Sequence, residues 1–72
     1  MATFPERLKQ LRKEHKVTQV QLSTAIGITD RACQKHEAGE NEPSMSALIA
    51  IADYFDVSLD YLVGRPDRPK RQ

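Results

Sequence analysis

An all-α domain of five short helices is the fold this sequence predicts, and three observations predict it. Apolar residues recur at steps of three and four and never in sustained alternation, the period of helices packed on one face. Thr3, Thr18, Thr29, Ser44 and Ser58 stand just before such runs, where a side-chain oxygen caps a helix start. Gly27, Gly39 and Gly64 stand just after three of them, where a left-handed residue ends a helix cheaply.

The first helix is expected from about Phe4 to His15. Thr3 caps it, Pro5 falls in its first turn, and Glu6 stands three residues on to complete a capping box. Phe4, Leu8 and Leu11 mark its buried face. The second helix runs from about Gln19 to Ile26, with Thr18 as cap, Gln21 at the box position and Gly27 at the end. The third runs from about Asp30 to Ala38, between Thr29 and Gly39. After the loop from Glu40 to Pro43, Ser44 caps a fourth helix that reaches about Phe55. Its apolar face is Met45, Leu48, Ile51, Ala52 and Phe55. Ser58 opens a short fifth helix to about Val63, with Leu59 and Leu62 inward and Gly64 closing it. Residues 1–64 read as one domain, and the proline-broken, charged segment 65–72 reads as a disordered basic tail.

The totals exclude several classes. At 72 residues the chain makes one domain with a modest core, too small to enclose a catalytic pocket. No apolar run is long enough to cross a bilayer, and MATFPERLKQ lacks the apolar stretch of a signal peptide. The single cysteine, Cys33, builds no disulfide framework. A cytoplasmic, non-enzymatic protein without cofactor, metal or small-molecule ligand is expected. His15, His36 and Cys33 fall short of a zinc ligand set, and Cys33 reads as a small buried hydrophobe.

The net charge is +1, but it is unevenly spread. Arg7, Lys9, Arg12, Lys13 and Lys16 oppose only Glu6 and Glu14 in the first third. Residues 29–60 are acidic, with Arg31 and Lys35 against Asp30, Glu37, Glu40, Glu42, Asp53, Asp56 and Asp60. Residues 61–72 are basic again.

The stretch Gln19–Glu37, QVQLSTAIGITDRACQKHE, reads as two helices joined by a tight turn. Leu22, Ile26, Ile28 and Cys33 are apolar where such a unit packs, Ser23 is small where the helices cross, and Gly27 stands where the chain reverses. In a helix-turn-helix the second of the two helices enters the DNA major groove and the first crosses the backbone. The exposed face of the third helix is then Asp30, Arg31, Gln34 and Lys35, beside the small Ala32. Arg and Lys donate to guanine, Gln pairs with adenine, and Asp accepts from cytosine. Asp30 also suits the positive end of the helix dipole, so a purely local role stays open for it.

The motifs LRKEHKVTQVQL, AIGIT, HEAGENEPS and LIAIADYFDVSLDYLVG together resemble the lambdoid-phage repressor and Cro family, the Cro/cI-type (XRE) helix-turn-helix domains. The likeness runs from about Leu8 to Leu62. It implies a compact lambda-repressor-like domain that binds double-stranded operator DNA, usually as a homodimer on a near-palindromic site, to control transcription. By this resemblance Asp30, Arg31 and Lys35 stand where base edges are met, with Gln34 flanking them. Gln19 stands where a phosphate is met, joined by Thr18 and Thr29 and assisted by Arg12, Lys9 and Lys13. Arg12 and Glu37 match a structural ion pair between the first and third helices. Departures from the family pattern are Ser23 in place of Ala, Asp30 where a polar or basic residue is common, Cys33 in place of a larger aliphatic, His36 in place of an aromatic or Leu, and the acidic loop Glu40–Glu42 near the phosphates.

Ile49, Tyr54, Tyr61 and Val63 are candidate dimer contacts on the fourth and fifth helices, or scattered surface hydrophobes. The acidic loop keeps a second class open: a protein-interaction module of the same fold, antirepressor- or antitoxin-like, with weak or lost DNA binding.

Overall fold

The computed structural model describes residues 3–64. Helix α1 spans Phe4–Glu14, α2 Gln19–Ile26, α3 Asp30–Ala38, α4 Met45–Phe55 and α5 Leu59–Leu62. No strand occurs among the described residues. α1 and α5 each stop one residue before the expected end, because His15 and Val63 have swung to ψ near zero as caps. The expected basic tail, residues 65–72, lies outside the described residues.

Cap chemistry accounts for the helix starts. At α2 the Gln21 N–H donates to Thr18 Oγ1 at 3.0 Å while the Thr18 N–H donates to Gln21 Oε1 at 2.8 Å. Two otherwise orphaned donors are thereby satisfied. Thr29, Ser44 and Ser58 accept from Ala32, Ala47 and Tyr61 at 3.0, 3.1 and 3.0 Å. At α1 the Glu6 carboxylate receives the Thr3 N–H at 2.9 Å and the Thr3 hydroxyl at 3.2 Å. These bonds, the backbone one first, hold the Glu6 carboxyl below its ordinary value.

The helix ends are of two kinds. α2 and α3 stop on left-handed glycines, Gly27 at φ 77° and Gly39 at φ 78°. The turn after α1 and the end of α4 place Lys16 and Asp56 at φ 56° instead. The amide beyond each reaches back five residues, Val17 N–H to Arg12 O at 2.9 Å and Val57 N–H to Ala52 O at 3.0 Å. These bonds recover helix-end carbonyls in compensation for the left-handed backbone.

One core joins all five helices. Leu8 and Leu11 of α1, Leu22 of α2, Cys33 of α3, Ile51, Ala52 and Phe55 of α4, and Leu62 of α5 form its buried centre. Phe4, Val17, Ile26, Ile28, Leu48, Val57 and Tyr61 pack around it. α3 rests on α1 and α2, while α4 supports α2 from the other side. Two expected core residues lie outside. Met45 is 65% exposed because it sits in the first turn of α4, beyond the packed stretch, and Leu59 is 39% exposed because one-turn α5 buries only Leu62.

Candidate nucleic-acid interface

α3 has two faces of opposite character. Cys33, His36 and Glu37 are buried. Arg31 and Gln34 are exposed, Lys35 and Ala32 are half-buried, and Asp30 is exposed at the helix start. The expected outward set therefore does share one solvent-facing side. Cys33 fills the core, and burial pushes its thiol up, which keeps it neutral and unreactive. The His36 ring meets Phe4 edge-on at 6.5 Å between centroids, and its Nδ1 lies 3.3 Å from the Asn41 carbonyl oxygen. Among the described residues, no three of His, Cys, Asp and Glu gather as a metal would require.

The end of α3 is tied to α1 through the Arg12–Glu37 pair. Arg12 Nε donates to Glu37 Oε2 at 2.5 Å and Nη2 to Glu37 Oε1 at 3.1 Å, a two-point fork. Arg12 Nη1 also donates to the Val17 carbonyl at 3.1 Å, fastening the α1–α2 turn. The Glu37 side chain is 4% exposed and that of Arg12 17%. The bond to Glu37 pushes the Arg12 guanidinium further toward its charged form. Gln19 is a third member, its Nε2 donating to Glu37 Oε1 at 3.1 Å. The sequence suggests the ion pair but not this link, which brings the first residue of α2 onto the last turn of α3.

The crossing of α2 and α3 has its own polar clasp. Ser23 is buried, and its hydroxyl donates to Asp30 Oδ1. Ile28 is half-buried in the turn, packed on the core as the sequence leads one to expect.

The donors aimed at solvent can be counted from these bonds. Thr18 and Thr29 accept through their hydroxyl oxygens, so each keeps its own O–H proton. Gln19 uses one amide N–H of two, and Arg12 three N–H groups of five. Arg12, Lys13, Lys16, Thr18 and Gln19 line a shallow basic notch between the end of α1 and the start of α2. Lys9 and Lys13 border a second groove that runs toward Glu37 and Ala38 at the end of α3. Lys16 lines this notch but is absent from the set expected from sequence, since its place depends on a left-handed turn that no glycine announces.

The remaining candidates are placed as follows. Glu40 and Glu42 are exposed, and Glu42 lines a groove with Phe4, Pro5, Leu48 and Val63. That groove shares no lining residue with the basic notch. Ile49 and Tyr54 are 44% and 43% exposed on α4. Tyr61 and Val63 are half-buried, and Tyr61 packs on the core beneath Arg7, whose guanidinium carbon lies 4.0 Å from the ring centre.

Comparison with known proteins follows the same outline. A helix-turn-helix family model matches residues 8–62. The HTH-type transcriptional regulator YobD of Bacillus subtilis is 42% identical over 66 residues, covering 92% of this chain and 59% of its own length. The cryptic phage CTXphi transcriptional repressor RstR of Vibrio cholerae is 43% identical over 60 residues, covering 83% and 54%. The chain thus spans somewhat over half the length of these relatives. Among solved structures, the c2 repressor of Salmonella phage P22 in complex with a synthetic operator superposes with a TM-score of 0.82 at 30% identity, over 88% of this chain and 96% of that one. A helix-turn-helix match over most of the length, with phage repressors alike in sequence and in shape, makes this chain a member of the Cro/cI-type helix-turn-helix family.

Proposed function

We propose that this chain is the sequence-specific DNA-binding domain of a transcriptional regulator, a repressor, that lays α3 in the major groove of a near-palindromic operator. The observation that carries this reading is the two-faced α3. Its inner face is anchored by Cys33, His36 and Glu37, while Arg31 and Gln34 are exposed and Lys35 is half-buried on the other side. Arg31, Lys35, Gln34 and Asp30 read base edges. Gln19, Thr18, Thr29 and Arg12 hold phosphates, with Lys9, Lys13 and Lys16 adding charge. The solved complex of the P22 c2 repressor with its operator, and the repressor RstR among the relatives, support both the partner and the sign of control. Ile49 and Tyr54, with the half-buried Tyr61 and Val63, are the residues through which two copies pair on a two-fold site. The role is one of binding in the cytoplasm, not catalysis.

Selection from random duplexes, then titration of the enriched site over a salt series, tests this. A two-fold site whose affinity falls steeply with salt is expected, and replacing Arg31 and Lys35 together with Ala abolishes binding. The exposed apolar residues Met45, Ile49, Tyr54 and Leu59 favour one other reading, a protein-interaction module. That reading gains if no duplex is enriched and the double variant keeps a protein partner.

A further inference from the structure

We infer that Ser23 and Asp30 act together as a preset hydrogen-bond acceptor that selects cytosine at the operator position facing the start of α3. The inference rests on the DNA-binding reading above. Its starting point is a proton count. The Ser23 hydroxyl has one proton and two acceptors in reach, Asp30 Oδ1 and the Val20 carbonyl at 3.0 Å. A helix carbonyl has its own ladder partner, and a charge-assisted bond to a carboxylate outcompetes a neutral one. The proton therefore goes to Asp30.

Ser23 is buried where α2 and α3 cross, so it is a rigid anchor that solvent does not reach. The bond ties up one carboxylate oxygen and takes away the side chain's rotational freedom. Asp30 itself remains exposed, and its second oxygen has no partner among the described residues. An ordinary exposed Asp samples several rotamers and loses them on binding. This one is already ordered, so the cost of aligning it with a base edge is small.

An ionised carboxylate only accepts. Cytosine offers an amino donor in the major groove. Guanine offers two acceptors, and thymine an acceptor and a methyl group. A fixed carboxylate facing guanine or thymine leaves both partners unpaired and repelling, so the selection works chiefly by rejection. Adenine offers a donor beside an acceptor, a pair that an amide matches and a carboxylate does not. Ser23 touches no base in this scheme. It is a positioning residue that acts through Asp30.

The test repeats the selection with the whole chain as wild type, Ser23→Ala, Asp30→Ala and Asp30→Asn, with helix content checked by circular dichroism. Wild type should prefer cytosine at one position of each half-site by about tenfold. Asp30→Ala should lose that preference alone, and Asp30→Asn should move it to adenine. Ser23→Ala removes one oxygen and keeps the charge. It should blunt the cytosine preference severalfold while leaving preferences elsewhere and the salt dependence unchanged. Full cytosine preference in folded Ser23→Ala overturns the inference. So does a uniform loss of affinity across all sequences in the Ser23 and Asp30 variants, since a mere helix staple behaves that way. Wild type that enriches no duplex overturns the DNA-binding reading itself.

Discussion

Glu37 shows how one buried carboxylate organises a surface made for other work. It sits on α3, yet its two oxygens receive Arg12 from α1 and Gln19 from α2, so three helices meet at one charge. The arrangement is poor value as stability, because desolvating an ion pair offsets most of its attraction. Its worth lies in registry: Arg12 and Gln19, both lining the basic notch, are held in place with N–H groups to spare. Removing one partner should then cost more than the pair contributes. Arg12→Ala leaves the Glu37 side chain buried with only Gln19 to answer it, and should lower stability by about 2–3 kcal/mol. Glu37→Gln keeps one oxygen for Arg12 Nη2 and Gln19, loses the bond from Arg12 Nε, and leaves the charge on the more exposed member, so a smaller loss is expected. Urea unfolding of the two variants gives the comparison, and a larger loss for Glu37→Gln would contradict the account.

At the scale of elements, what was legible in the sequence was legible because single residues announce it. Thr18, Thr29, Ser44 and Ser58 name helix starts, since a capping oxygen acts within three residues of its own position. Gly27 and Gly39 name helix ends for the same local reason. The left-handed turns at Lys16 and Asp56 carry no such marker, because residues with side chains take the same backbone there, closed by the same five-residue amide bonds that follow Gly27 and Gly39. Periodicity also misassigned Met45 and Leu59, for it knows the angle around a helix but not how far neighbours cover its length. In the interface, the outward set of α3 was readable from spacing, and the Arg12–Glu37 pair from the family resemblance. The Gln19–Glu37 and Ser23–Asp30 bonds were not, since they depend on how closely two helices approach. Two predictions follow from the local markers. A Cβ on Gly27 meets nothing within 4 Å, so Gly27→Ala measures backbone strain alone and should cost about 1 kcal/mol in denaturant unfolding. Glu6 is held below its ordinary value of 4.5 by the Thr3 bonds. Its contribution to α1 is complete above that value and disappears as pH falls through the lower folded value. Glu6→Gln should therefore flatten the dependence of the thermal midpoint on pH in the acid range and leave its shape near neutrality unchanged.

Charge is divided along the chain, and the division agrees with the docking face proposed above. Every Lys and Arg among the described residues lies at or before Lys35. From His36 to Gly64 there is neither, while Glu37, Glu40, Glu42, Asp53, Asp56 and Asp60 all occur. A net charge of +1 is thus a near cancellation between a basic side built from α1, its turn and the outer face of α3, and an acidic side built from the loop and α4–α5. A polyanion approached by such a dipole is steered onto the basic side even though the total is nearly neutral. Glu42 borders the groove of Phe4, Pro5, Leu48 and Val63 and not the notch of Arg12, Lys13 and Lys16, which sets this one acidic residue of the loop apart from the notch. Salt titration separates the two placements. A lysine that neutralises a phosphate contributes about 0.9 to the slope of log affinity against log salt. Lys16→Ala should reduce the slope by about that amount per subunit and weaken all sequences alike. Glu42→Lys adds a cation away from the backbone and should leave the slope unchanged, with at most a small gain in affinity at low salt, where screening is weak. A slope that steepens in Glu42→Lys would instead put the loop against the phosphates and the docking face nearer to α4.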